Sequence, residues 1–222
     1  MSKSPSWSYS SIKEFQTCPK QYYHNRVLKE FPYTETEATI YGNRFHKAAE
    51  EYIRDGAPLA KEFHYAKGAL DKLKAMPGDK YCELKFALTE DLEPCSWRSK
   101  DTWWRGIADL LIINGNRAKI IDYKTGASAK YADVGQLELM AMAVFKHHPE
   151  VEFVDSGLLF VIAKSFPKAK FESTDQDKLW VKWLQEYGRM RSAHDNNVWN
   201  PKPNGLCKKH CQVLSCPHNG RS

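Results

Sequence analysis

The chain has 222 residues, 42% of them hydrophobic and 13% aromatic, which is enough to build a core and excludes disorder throughout. Lys and Arg number 33 against 27 Asp and Glu, leaving +6, a mild basic excess that suits a polyanionic partner without demanding one. No window supplies the ~20 consecutive apolar residues of a membrane helix, and the opening MSKSPSWSYS lacks the basic-then-apolar layout of a secretory leader, so a cytoplasmic protein without membrane contact is expected.

In chain order, Ser11 followed by Glu14 reads as a capping box, and Ile12, Phe15, Tyr22 and Tyr23 give one apolar side to a helix over about 11–26, despite Pro19. A second helix is predicted over about 38–54, ended by Gly56, and a third over about 60–75, ended by Pro77 and Gly78. The runs CELKFAL, WWRGIADLLII and AKIIDYK then have strand character, with turn signals at Glu93-Pro94 and Asn114-Gly115-Asn116, and predict a three-stranded meander. A helix over about 133–146, an apolar strand GLLFVIA and an amphipathic helix carrying Leu179, Trp180, Trp183, Leu184 and Tyr187 follow. The tail from Asn200 is rich in Pro, Gly and Asn and too poor in apolar residues to fold alone, so something must staple it. The twelve glycines are scattered singly, without a phosphate-binding loop, so nucleotide hydrolysis is not indicated.

Asp109 in GIADLLII and Asp122 in IIDYK end two apolar runs that adjacent strands can bring together. Side chains alternate along a strand, so Asp122 and Lys124 share a face and Tyr123 takes the other. Two carboxylates at the end of buried strands repel each other and call for a cation; Mg²⁺ or Mn²⁺ suits hard oxygen ligands and phosphodiester chemistry. An isolated Asp-x-Lys is more often a turn former beside a solvated lysine. Here it is accompanied by His46 on an upstream helix and Gln136 on a downstream one. A glycine one turn before His46, Gly42, signals close approach of backbone or substrate.

These residues resemble the PD-(D/E)XK nucleases of the RecB-like branch, which includes CRISPR-adaptation exonucleases and phage enzymes. SYSSIKEFQTCPKQYY is similar to the family's N-terminal helix, YGNRFH to its G-x-x-x-H motif, GIADLL to the first acidic motif and IIDYKTG to the D-x-K motif, in the family's order. The resemblance implies an α/β, restriction-endonuclease-like core: a mixed central sheet flanked by helices, with a helical N-terminal part and a metal-stapled C-terminal tail. It would form a single nuclease domain over 1–222, made of 1–78, a core over 79–195 and a cysteine-rich tail over 196–222 packed back on the first helix.

The same resemblance implies His46, Asp109, Asp122 and the Tyr123 carbonyl as ligands of the catalytic metal, Lys124 as the group that positions water, and Gln136 as a support for the site or a DNA contact. The family often has a tyrosine four residues after this glutamine, where this chain has Met140. Glu83 stands where the family commonly has an acidic residue, whereas Glu50 reads as a surface partner of Lys47 or Arg54. Of the adjacent Trp103 and Trp104, one is expected to be buried and the other, with Trp97, open to DNA; Lys164, Lys168 and Lys170 are candidate phosphate contacts. Metal-dependent hydrolysis of DNA is implied, exonucleolytic on ends or single strands, in recombination, repair or phage DNA metabolism. A phage-encoded chain would work in the host cytoplasm. A helicase, recombinase or annealing partner would be a separate chain. The alternative is a noncatalytic DNA-binding or integration-complex subunit that keeps the fold.

Cys207, Cys211 and Cys216 crowd the tail as C-x3-C-x4-C, and the family supplies a fourth thiolate from the first helix, where Cys18 stands. A 4Fe-4S cluster is implied. A zinc site remains the alternative, completed by Cys18, His210 or His218, because the middle cysteine is one residue off the family's spacing. Cys82 and Cys95 are assigned no role.

Overall fold

The computed structural model describes residues 5–130 and 132–221, which fall into two units, one over 35–179 and the other made of the described residues before 35 and after 179. Among the described residues no helix is long and apolar enough to cross a membrane.

The larger unit is built on a five-stranded mixed sheet in the order β1 (Asp79–Leu88), β2 (Trp104–Asn114), β3 (Arg117–Lys124), β4 (Phe153–Phe160) and β5 (Lys168–Glu172). All neighbours are antiparallel except β3 and β4, which run parallel and are joined through α5 (Gly135–His147), as parallel pairing requires a crossover. Asn114 faces Arg117 across a two-residue turn, Gly115-Asn116, with Gly115 at φ 61°, where glycine carries no Cβ penalty.

α3 (Glu37–Arg54) begins at Thr36, whose side chain accepts the Thr39 N–H, and buries Phe45, Ala49 and Ile53 on one stripe. With α4 (Lys67–Ala75) it packs a core against Leu110, Ile112, Ile121 and Tyr123. Asp122, alternating with Ile121 and Tyr123, instead meets Gln136 of α5. The sheet therefore has α3 and α4 on one face and α5 on the other. α5 is buried almost all round, consistent with its apolar sequence.

In the smaller unit, the single helix expected over 11–26 is broken into α1 (Tyr9–Thr17), α2 (Pro19–Tyr22) and a π turn over Tyr23–Val27. The cause is Pro19, which drives Cys18 out of the helical region to φ −163°, ψ 110°. The cap is Ser8 rather than Ser11: Ser8 accepts the Ser11 N–H, and the Ser11 hydroxyl in turn accepts the Ser8 N–H. Trp7 and Ile12, both buried, hold the positions of a hydrophobic staple. In the smaller unit Trp183 and Tyr187 of α6 (Gln176–Asn196) stack against Trp7 at 6.5 and 5.7 Å.

Two further departures concern strands. The strand expected at 157–163 lies at 153–160, and β5 falls in a segment with no strand signal. Asp155 and Ser156 interrupt the apolar pattern of β4, but both have partners on β5: Lys170 pairs with Asp155, and the Ser156 hydroxyl donates to Ala169 O at 3.0 Å. β5, KAKFE, is an edge strand whose charges blunt edge pairing and hide its strand character.

Candidate active site

The site forms where β2 and β3 part. Their ladder stops at Leu110 and Ile121, and beyond it the Asp109 carboxylate fills the gap, accepting the Tyr123 N–H at 2.7 Å. This fixes the acid with a bond from the backbone. His46, projecting from α3, lies with Nδ1 3.4 Å from Asp109 Oδ1 and 3.9 Å from Glu83 Oε1, and with Nε2 3.2 Å from the Tyr123 carbonyl oxygen. One ligand atom each from His46, Glu83 and Asp109 lies within 4.8 Å of the others, the spacing a bound ion needs. Asp122 stands beside this cluster: Gln136 Nε2 donates to its Oδ1, and Lys124 Nζ lies 2.5 Å from its Oδ2. Gln136 closes the triangle by accepting from Lys124 Nζ at 3.3 Å. Asp122 and Lys124 do share a face, with Tyr123 turned into the core.

Electrostatics mark the site as short of positive charge. Burial, then the Asp109 charge, push Asp122 up to about 6, against the opposing pull of Lys124. Burial and Asp109 likewise raise Glu83. Burial alone would lower His46, but the hydrogen bond and charge of Asp109, with Asp122 and Glu83 behind them, raise it. Three carboxylates around one histidine and one lysine would be stabilised by a hard divalent cation, and the donors fit one. His46, Glu83, Asp109 and the Tyr123 carbonyl are the groups placed to hold it.

Glu83 was the least distinctive of the site residues in sequence. It sits in the middle of β1 at φ 52°, a left-handed conformation that costs a residue with a side chain about 1 kcal/mol. Cys82 before it packs into the α3–α4 core while Glu83 turns to His46. The close approach of backbone expected at Gly42 is not there: the nearest atom to where a Cβ would lie is the side-chain Oγ1 of Thr125, at an ordinary contact distance of 3.4 Å. Glu50 pairs with Lys47 and Arg54.

The expectation that Trp103 or Trp104 is open to DNA is corrected: both are buried, at 3% and 1% exposure. Trp104 lies over Gly106, where a Cβ would meet its ring at 2.6 Å and Met140 at 2.9 Å; Met140, the residue in place of the family's tyrosine, is part of that packing. Alternation does not separate the two tryptophans because Trp103 precedes the strand. Lys168 lies over the Phe166 ring and Lys170 beside Asp155.

In the smaller unit Cys18, Cys207, Cys211 and Cys216 line one cavity together with His218, whereas His210 is exposed and does not line it. The N–H of Lys202 donates to Cys18 Sγ and that of Asn204 to Cys207 Sγ, both at 3.4 Å. Asn219 Nδ2 donates to the carbonyls of Cys211 and Val213, fixing the loop that carries them.

Comparison with known proteins places this geometry in context. The family model of the PD-(D/E)XK nuclease superfamily matches residues 6–217. Among solved structures, a candidate exonuclease from Eubacterium rectale is 14% identical with a TM-score of 0.55, over 96% of this chain and 90% of that one. That likeness is one of fold. SSO0001, 12% identical over 99% of this chain and 89% of that one, has a TM-score of 0.47 and carries no argument. No curated protein matches the sequence. With the match running through almost its whole length, the chain belongs to the PD-(D/E)XK nuclease superfamily, whose members hydrolyse phosphodiester bonds with divalent metal ions.

Proposed function

We propose that the chain is a Mg²⁺- or Mn²⁺-dependent deoxyribonuclease that removes nucleotides from DNA ends or single strands. The observation that carries the reading is the convergence of His46, Glu83 and Asp109 within 4.8 Å, next to a buried Asp122 held against Lys124. A cation bound there would supply Lewis acidity toward a phosphate oxygen and a more acidic bound water. Asp109, pinned by the Tyr123 N–H, and His46, against the Tyr123 carbonyl, form a preorganised ligand wall. Lys124, held by Gln136 and Asp122, is placed to orient the attacking water and offset charge on the reacting phosphate. The exonuclease mode is supported by the motif resemblance and by the shared fold of the candidate exonuclease from Eubacterium rectale.

A 4Fe-4S cluster on Cys18, Cys207, Cys211 and Cys216 is part of this proposal. What supports it is the common cavity and the two N–H···S bonds.

The test is degradation of labelled DNA by anaerobically purified protein with Mg²⁺ or Mn²⁺, beside Asp122→Ala and Lys124→Ala. Loss of cleavage in both variants, resistance of circular single strands and a broad absorption near ~400 nm are expected. Cleavage that survives both substitutions would overturn the site assignment; a colourless, zinc-loaded active protein would overturn the cluster.

A further inference from the structure

A second group of charges lies on the sheet face that carries Glu83 and Asp109. Lys85 Nζ is 5.7 Å from the ring centroid of Trp97, and the Arg105 guanidinium is 5.5 Å from the same ring. Trp97 comes from the long connection between β1 and β2, which folds back over both strands. The strand register sets Lys85 opposite Ile107 and Ala87 opposite Arg105. A Cβ on Gly106 would point at Met140 of α5, so its neighbours Arg105 and Ile107 face the other side of the sheet. That is the side on which Asp109 meets His46 of α3. At ~3.4 Å per residue, Lys85 stands about 7 Å beyond Glu83 and Arg105 about 14 Å beyond Asp109, so the pair continues directly from the metal-ligand cluster.

Neither cation has the partner expected of it. Lys85 and Arg105 are in no ion pair among the described residues, and Arg105 Nε is buried without a hydrogen-bond acceptor. Two like charges held on one aromatic ring repel each other, and a half-buried guanidinium without a counter-ion is costly; an anion lying between them relieves both. Trp97 stabilises each cation through its ring face and fixes both positions, which suits a repeating anion better than a single diffuse one.

We propose that Lys85, Arg105 and Trp97 form a docking platform for the phosphodiester backbone of the substrate strand, on one flank of the reacting phosphate. This rests on the nuclease reading above and adds to it where the strand lies: along β1 and β2, leading away from Glu83 and Asp109. The cations meet phosphates, so the platform contributes affinity and register rather than base specificity.

Binding of a fluorescein-labelled single-stranded oligonucleotide, followed by anisotropy with Ca²⁺ in place of the catalytic ion, tests the platform. Lys85→Ala is expected to weaken binding roughly tenfold, in line with a lost charged phosphate contact. Lys85→Ala combined with Arg105→Gln should lower the salt slope by about 1.4, near 0.7 for each phosphate released. KM should rise more than kcat falls. Stabilisation of both variants by Mn²⁺ should equal that of the wild type, since the metal ligands are untouched. Lys85 is exposed, so its single variant reports even if Arg105→Gln impairs folding. Unchanged affinity and salt slope in Lys85→Ala, with a wild type that cuts DNA, would overturn the platform and leave the nuclease reading intact. A wild type that neither binds nor cuts any form of DNA would overturn both.

Discussion

Asn in place of Asp122 should stabilise the metal-free protein at neutral pH and weaken its response to metal, because it removes a negative charge beside the ligand cluster. Asp122 titrates at about 6 in the fold, against 3.8 ordinarily, because it is buried beside Asp109. Roughly two pKa units at ~1.4 kcal/mol each mean that holding it ionised costs about 3 kcal/mol. The sign follows from the upward direction. A carboxylic acid with a raised folded pKa favours the fold most below its unfolded pKa, and that advantage is lost as pH climbs through about 6. His46, also raised, runs the same way: its contribution is present below the usual histidine range and fades as pH passes its folded pKa. Asn mimics the protonated acid at every pH. In chelator, Asp122→Asn should therefore match the wild type near pH 4 and exceed it above pH 7 by up to about 3 kcal/mol, or roughly 6–12 °C in a chain of this size. Thermal unfolding in EDTA across that range, repeated with Mg²⁺ or Mn²⁺, checks it. The metal should raise the wild-type Tm more at pH 7.5 than at pH 5.5, because protons compete for the ligands, and should raise that of Asp122→Asn less than that of the wild type at pH 7.5. A stability difference that does not change with pH, or a variant less stable than wild type at neutral pH in chelator, would refute the electrostatic account of the site.

Other expectations are simpler to state. Lys124→Ala should lose at least ~100-fold in cleavage yet keep its stabilisation by Mn²⁺, as a calorimetric titration beside an activity assay can establish; equal loss of both would make Lys124 a structural residue. Glu83→Gly removes a left-handed side chain and a candidate ligand at once. Its stability in chelator should therefore hold or rise by up to ~1 kcal/mol while Mn²⁺ binding weakens at least tenfold, and unaltered metal affinity would exclude Glu83 from the ligand set. Gly106→Ala and Gly157→Ala should each lower stability by about 1–3 kcal/mol in urea unfolding, because their added carbons would sit 2.6 Å from the Trp104 ring and 2.3 Å from the Phe166 ring.

What could be read from the sequence was what local pattern determines. The meander, the shared face of Asp122 and Lys124, and the turn at Gly115 follow from alternation and turn chemistry, and each is present. Residues whose role depends on tertiary partners were harder. Glu83 acquires its place from a backbone twist that no pattern announces. The polar middle of β4 and the charged β5 look like loop until they are paired with each other. Nothing in the local sequence marks Arg105, and its link to Lys85 exists only through the register and the returning Trp97. Trp104 went the other way: beside the site in sequence, it is removed from solvent by packing over Gly106.

The two-residue turn at Gly115-Asn116 has a consequence beyond its own geometry. It sets the offset between β2 and β3, and that offset alone decides that Asp109 reaches the gap beside Tyr123. Adding or removing one residue there, some five residues or ~17 Å from Asp109, would slide one strand past the other and present the acid to the wrong neighbour. Loop tips are ordinarily where chain length drifts freely between related proteins. This one acts as a ruler for the chemistry, so a change in its length would cost the site as much as the loss of an acid.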